Sequence, residues 1–491
     1  MSEVESASDD AAQLKSMGYE QELRRRMSAF SNFAISMSII CILAGGVTSF
    51  AEGFCRIGGA AIGVGWPIVC LFSLTVALTM GQVASAFPTA GGLYHWAAIL
   101  GGRGWGWITA WFNLVGLIAV LAAINVGTVE FVAGFHGVQL TFEQRLIAFA
   151  VVTFSQAFLN QRGIRTTTIL TDFSGYWILI VSTLLTLLLI VFANDFQFSR
   201  LITFTNYSGE AGGNILPRTE SIAWLFVLAL LLPAYTITGF DASAHVAEET
   251  VGAAVHVPRA IVRAVLFSGL FGWVMLCAVV LAMPNRDSSA AQGSNAFVWS
   301  VRGALPTPLP SIMFYAIAVA QYLCGLATVT SASRMTYAFA RDGGLPLSSL
   351  WKRVSPSHQV PSFAIWLIAF VSVALVAFAP YSAVAAAAAV LLYISYVLPT
   401  ALGAWTYGRS WTQMGPWNLG FWYRPLSVIA VVGSVGLMII GVQPPNDKAL
   451  YIVGGMSVLL FVAWWSGVRR QFKGPPSELL AKISASRTKS E

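Results

Sequence analysis

Long apolar runs, most of them near 20 residues and parted by short polar segments, organise almost the whole chain. Wound as an α-helix, a run of about 20 apolar residues matches the hydrocarbon thickness of a bilayer. The pattern places such helices at 30–55, 63–86, 105–133, 144–161, 167–193, 221–245, 259–283, 309–339, 361–379, 382–407, 425–442 and 448–467. Pro380 and Tyr381 are the only break between the ninth and tenth runs, so that boundary is the least marked. The expectation is an all-α integral membrane protein with twelve transmembrane helices.

Composition agrees. The chain of 491 residues is 56% hydrophobic and only 10% charged, with mean hydropathy +0.71. Soluble domains carry about 25% charged residues, so this chain lacks the polar surface that water requires. Its formal charge of +7 does not point to nucleic acid, because the basic residues lie in short loops and at the ends. With both termini cytoplasmic, 21 of the 28 Lys and Arg fall on inner segments, as the positive-inside rule demands. An odd number of spans would spoil that bias. The chain starts with acidic and Ser-rich residues, so no signal peptide is expected, and tails of about 28 and 22 residues leave no room for a soluble domain. The five cysteines show no metal or redox spacing, and no nucleophile elbow or phosphate loop appears. Enzyme, metal and cofactor readings therefore have no support. Asn206-Tyr207-Ser208 is a glycosylation triplet that matters only in a eukaryotic secretory route.

Two spans are poor plain helices. The first contains Ala44-Gly45-Gly46-Val47-Thr48-Ser49-Phe50, and the sixth contains Tyr235-Thr236-Ile237-Thr238-Gly239-Phe240-Asp241. A carboxylate at such depth costs about 2.5–3.5 kcal/mol even on insertion scales and usually marks an ion or substrate pathway. The two segments lie five helices apart, at matching places in successive five-helix blocks. An odd block length inverts the second copy, and interrupted helices at matching positions point to a binding site near the midplane. Broken half-helices offer N–H groups to a carboxylate and carbonyls to an ammonium. A Gly-rich packing seam is the competing explanation, since small residues are common at membrane helix contacts.

Four stretches in order carry a family resemblance. They are Phe87-Pro88-Thr89-Ala90-Gly91-Gly92-Leu93-Tyr94, Asn160 to Gly163, Gly239-Phe240-Asp241 through Glu248-Glu249 to Pro258-Arg259, and Ser333-Arg334 through Ala340-Arg341-Asp342-Gly343-Gly344-Leu345-Pro346. Over most of its length the chain resembles the amino acid–polyamine–organocation (APC) superfamily, in the amino acid/choline branch that includes GABA and choline permeases. The resemblance implies a LeuT-like fold of five plus five inverted helices with two additional helices. Its parts would be a cytoplasmic tail 1–28, repeats 29–200 and 201–408, the extra helices 409–468 and a cytoplasmic tail 469–491. It implies a plasma-membrane permease that carries a small amino acid or related amine by alternating access. Gly45, Gly46, Val47, Thr48 and Ser49 would bind the substrate with Thr236, Ile237 and Thr238. Tyr235 would be the aromatic gate, with Phe240 as runner-up. Several relatives carry a Lys in the fifth span, but residues 172–190 contain neither Lys nor Arg. A proton on Asp241 or Asp172, or a sodium ion near Thr328, would then supply the missing charge, or the carrier would exchange.

Other residues stay open between function and structure. Asp241 is a substrate ligand, a proton carrier or a brace for the unwound helix. Glu248 and Glu249, beside Arg259 and Arg263, are a gate or a structural ion-pair network. Trp111 and Asn113 lie deep enough to reach the cavity, whereas Trp66, Trp105 and Trp107 are expected at the interface. Glu130 is expected to reach toward the interface. His95 and His245 are more simply helix-end donors. An organic cation such as choline or a polyamine is the alternative cargo, and a ligand-binding sensor or channel is the alternative class.

Overall fold

The computed structural model describes residues 3–193, 195–378 and 381–476, which form helices with no strand beyond two isolated bridges, Met27 to Thr250 and Tyr407 to Trp411. A helix occupies each expected position. Among the described residues, nine are long and apolar enough to cross a membrane: Ala29–Ile57, Ala61–Ala86, Arg103–His136, Ile164–Phe192, Ala253–Ala282, Leu309–Arg341, Val384–Thr406, Gly420–Gly441 and Lys448–Gln471. Phe142–Gln161 is diluted by polar residues such as Glu143, Gln144 and Arg145. Ile222–Thr236 is cut short by an interruption, and Ser362–Phe378 has only 17 residues. Pro380 lies outside the described residues, and separate helices, Ser362–Phe378 and Tyr381–Thr406, flank it.

The long helix Arg103–His136 packs against both Leu309–Arg341 and Tyr381–Thr406. Large apolar side chains such as Leu71, Val191, Val432 and Tyr451 are exposed around its outside. Apolar cover on that scale suits lipid and not water. Trp66 and Trp107 are buried instead of interfacial, and the Trp66 indole N–H donates to the Gly269 carbonyl at 2.9 Å. Only Trp105 stays half exposed. Glu130 is partly exposed and ion-paired with Arg145.

The first spanning helix breaks one turn earlier than expected. Ala29–Ile40 ends at Cys41, where φ is 16° and ψ is 89°, and the chain turns through Ala44 before helix resumes at Gly45. Gly45 therefore starts the second half and does not form the break. It is needed for closeness: a Cβ there would sit 2.9 Å from the Thr236 Cα. The other helix unwinds within the expected segment, after Thr236, and short helix resumes at Ala242. Gly239 has φ +84°, and a Cβ on it would overlap the Ile39 side chain.

The segment 10–23 packs against the bundle. Leu14, Met17, Tyr19 and Leu23 are buried, and the Asp10 carboxylate accepts the Gly252 and Ala253 N–H groups at 2.6 and 3.3 Å. This strap crosses the Glu248 end of the bundle.

Replacing Gly239 by Ala should destabilise the detergent-solubilised protein by at least the roughly 1–2 kcal/mol of a left-handed residue. The overlap with Ile39 adds to that cost. Thermal unfolding checks it; an unshifted midpoint would show that this turn does not need glycine.

Candidate functional site

The two interruptions meet around one small cavity. Ile39, Ile40, Ala44, Gly45 and Thr48 line it from the first broken helix, and Tyr235, Thr236 and Thr238 from the second. Val120, Ile124 and Cys324 close it from the neighbouring long helices. Its volume is only about 20 Å³, room for one water. The Gly45 and Gly46 N–H groups bond to the Cys41 and Ile42 carbonyls, so these donors are satisfied within the turn. Among the described residues the N–H groups of Ile42, Leu43 and Thr238 have no acceptor. The site is collapsed upon itself, yet keeps unpaired backbone donors at both breaks.

Side chains from other helices support the unwound backbone, as they must where lipid supplies no partner. The Gln321 amide donates to the Leu43 carbonyl at 3.1 Å, and the Cys324 thiol to the Ile39 carbonyl at 3.3 Å. The Tyr396 hydroxyl accepts the Gly239 N–H at 2.9 Å and donates to the Asp241 carboxylate at 2.8 Å. Asn113 donates to the other Asp241 oxygen at 2.9 Å, and His245 lies 3.2 Å from it. The remaining His245 nitrogen faces the Ala90 carbonyl at 3.2 Å. Both ring nitrogens thus face oxygen atoms, one on Asp241 and one on the Ala90 carbonyl. That carboxylate is buried, fully engaged and absent from the cavity wall.

Beyond Tyr235 a wider vestibule of about 150 Å³ leads outward. Thr48 and Tyr235 line both spaces, so they separate the two. Ser49, Glu52, Ala386, Tyr393 and Asn446 line the vestibule too.

The opposite end is shut. Arg341 donates two hydrogen bonds to Glu248, at 2.8 and 3.0 Å, and Arg334 donates two to Glu249, at 3.0 and 3.1 Å. These acids therefore pair with the eighth helix, not with Arg259 and Arg263. Tyr19, Tyr94 and His95 converge on Asp342 at 2.8, 2.8 and 3.0 Å, and Arg341 lies over the Tyr19 ring. Burial opposes ionisation of Glu248, but Arg341 outweighs it and holds the carboxyl below its usual range. Asp342 is likewise held low, burial being outweighed by His95 and Arg341. Asn32, Ser36 and Ser243 zip the inner halves of the two broken helices together, with the Ser36 hydroxyl donating to the Phe240 carbonyl at 2.8 Å.

Of the expected site residues, the cavity gathers Gly45, Thr48, Tyr235, Thr236 and Thr238, and the vestibule adds Ser49. Gly46 faces Leu276 and Trp66, while Val47 and Ile237 belong to the apolar core. Phe240 packs on Tyr396, and Asn113 reaches Asp241 but not the cavity. Trp111 packs edge-on against Phe339. Asp172 accepts the Ser31 hydroxyl at 3.1 Å, and the Thr328 hydroxyl donates to the Cys324 carbonyl of its own helix. Glu52, Gln321, Tyr396 and the Asn32–Ser36–Ser243 zipper were not anticipated. Glu52 was legible as a carboxylate one helical turn beyond Thr48; the others are common polar residues without a motif.

The amino acid permease family profile matches residues 27–464. The chain is 32% identical to the amino-acid permease BAT1 of Arabidopsis thaliana over 95% of this chain and 96% of that protein, and equally to its Oryza sativa homologue. A putative polyamine transporter of Candida albicans is 27% identical over 88% of this chain and 80% of its own length. With a profile match spanning both broken helices, the chain belongs to the amino acid permease family.

Proposed function

We propose that this permease is a secondary active transporter that carries a small zwitterionic amino acid by alternating access. One observation carries the reading. Two interrupted helices meet at a cavity that is closed at one end and joined through Tyr235 to a vestibule at the other. In this reading the chain has twelve spans, with repeats 29–200 and 201–408 inverted in LeuT-like fashion, helices 409–468 added, and tails 1–28 and 469–491 cytoplasmic. The vestibule then opens to the outside of the plasma membrane, and the Glu248–Arg341 and Glu249–Arg334 pairs form the inner gate. Cargo enters past Tyr235, and the turn at Cys41–Ala44 opens to present its N–H groups to the carboxylate. The ammonium takes carbonyls near Ile39, Ile40 and Thr236.

No charged residue lines the central cavity. A choline or polyamine there would be a buried cation without a counter-charge, because Asp241 is already paired; a zwitterion needs none. The buried contact between the Asp241 carboxylate and the His245 imidazole places two proton-exchanging groups side by side, which favours proton over sodium coupling. Asp172 and Thr328 then brace helices and do not carry the ion.

Proteoliposomes should take up radiolabelled L-alanine when an inward proton gradient is imposed, at a rate unchanged when potassium replaces sodium. Uptake that requires sodium would overturn proton coupling, and a macroscopic current without counterflow would make the protein a channel. Asp241→Asn should cut gradient-driven uptake at least tenfold. Pairing it with His245→Asn should restore thermal stability but not gradient-driven uptake.

Glu248 and Asp342 have lowered folded-state pKa values, so their stabilisation is full above the ordinary carboxylate value of about 4 and is lost as pH falls below it. The thermal midpoint in detergent should drop on acidification through that range. Glu248→Gln alone should cost about 3–5 kcal/mol by stranding Arg341. Glu248→Gln combined with Arg341→Gln should recover most of that loss and flatten the acid limb. A single variant as stable as wild type would remove the pair from the gate.

A further inference from the structure

The vestibule contains an acid whose position assigns it a task that the central cavity leaves undone. Among the described residues Glu52 is the one charged residue lining this space, and its side chain is 41% exposed. It follows Thr48 by one helical turn, on the path that leads to Tyr235 and the cavity. Arg56, one turn further on, is fully buried. Its guanidinium holds one Glu52 oxygen, Oε2, and also donates to the Leu228 carbonyl at 3.0 Å. Oε1 has no hydrogen-bond partner among the described residues. The pair is therefore a fixed dipole with its negative end in the vestibule and its positive end behind the wall.

We propose that Glu52 is a charge-selective recognition site at the vestibule, which receives the ammonium of arriving cargo before the central cavity does. The Ser49 and Thr48 hydroxyls and the Tyr235 ring lie between this carboxylate and the cavity, so cargo held here is already on its route inward. The site favours ammonium-bearing molecules of neutral or positive net charge and repels those of net negative charge. This assignment rests on the proposed transport of amino acids, and it adds selection by charge to a cavity that has no charged wall. It does not require Glu52 to change protonation, and among the described residues no other charged side chain lines the vestibule.

The experiment is competition against radiolabelled L-alanine counterflow in proteoliposomes at low ionic strength, with L-lysine and L-glutamate as the competitors. Two unit charges of opposite sign, each about 5 Å from one carboxylate in a water-filled space, differ by about tenfold in local affinity. Wild-type protein should therefore prefer L-lysine to L-glutamate as competitor, and Glu52→Gln should shrink that ratio about tenfold. Raising the salt concentration should bring the wild-type ratio toward that of the variant, and Glu52→Asp should keep most of the preference. Because the ratio compares two competitors on one preparation, it is insensitive to expression level. Should Glu52→Gln fail to fold with Arg56 left unpaired, Glu52→Gln combined with Arg56→Gln removes both charges and should also reduce the ratio, by a smaller factor because the opposing charge is lost too. An unchanged ratio in whichever variant folds overturns the assignment while leaving transport intact. Wild-type protein that exchanges no L-alanine at all overturns the transport reading, and this assignment with it.

Discussion

The whole arrangement depends on satisfying backbone polar groups where two membrane helices are interrupted. Inside a bilayer an unpaired N–H or carbonyl costs several kcal/mol, so each break must be held by side chains from elsewhere. Gln321 and Cys324 do this for the first broken helix and Tyr396 for the second, where the Thr238 hydroxyl also bonds locally to the Tyr235 carbonyl. The close approach of Gly45 to Thr236 then brings the two breaks together. Gln321 and Cys324 reach the first break from Leu309–Arg341 and Tyr396 reaches the second from Tyr381–Thr406, so the position of each break depends on the bundle as well as on the local segment.

That dependence explains what could be read from the chain. Helix positions were legible because apolar length is a local property. Gly239 was legible too, since only glycine tolerates its left-handed turn without strain. The first break was misplaced because Gly45 and Gly46 draw the eye, while the turn itself falls on Cys41, whose support comes from residues nearly 280 positions away. Asp241 was correctly noticed as costly, but its partners Asn113, Tyr396 and His245 lie on three separate segments. Nothing in the sequence said that they would consume both carboxylate oxygens. The pairing of Glu248 and Glu249 was misjudged for the same reason. Arg259 is nearer in sequence, but Arg334 and Arg341 are nearer in space.

Asp241 and Glu52 show how burial separates two acids on one path. The first is fully buried, and Asn113, Tyr396 and His245 take up its oxygens. That leaves no charge for a bound molecule. The second faces an open vestibule with one oxygen unbonded, so its charge is available but screened. In the proposed scheme the deep acid is left for coupling and the shallow one for recognition.

In the proposed inner gate, the two buried Glu–Arg pairs also bear on how that end opens. A buried pair gains Coulomb energy but loses hydration, and the two nearly cancel. Intact pairs therefore add little net stability, whereas a half-broken pair is expensive. A closure built this way should be nearly balanced between shut and open, provided both partners reach water together. Asp342 extends the same logic by tying Tyr19 of the N-terminal strap to His95, so the strap lies directly over the paired residues. Opening that end must then displace the strap and hydrate both pairs in one movement. The intermediate in which one arginine is stranded is the high point of the path, so these pairs oppose partial opening more strongly than they oppose full opening.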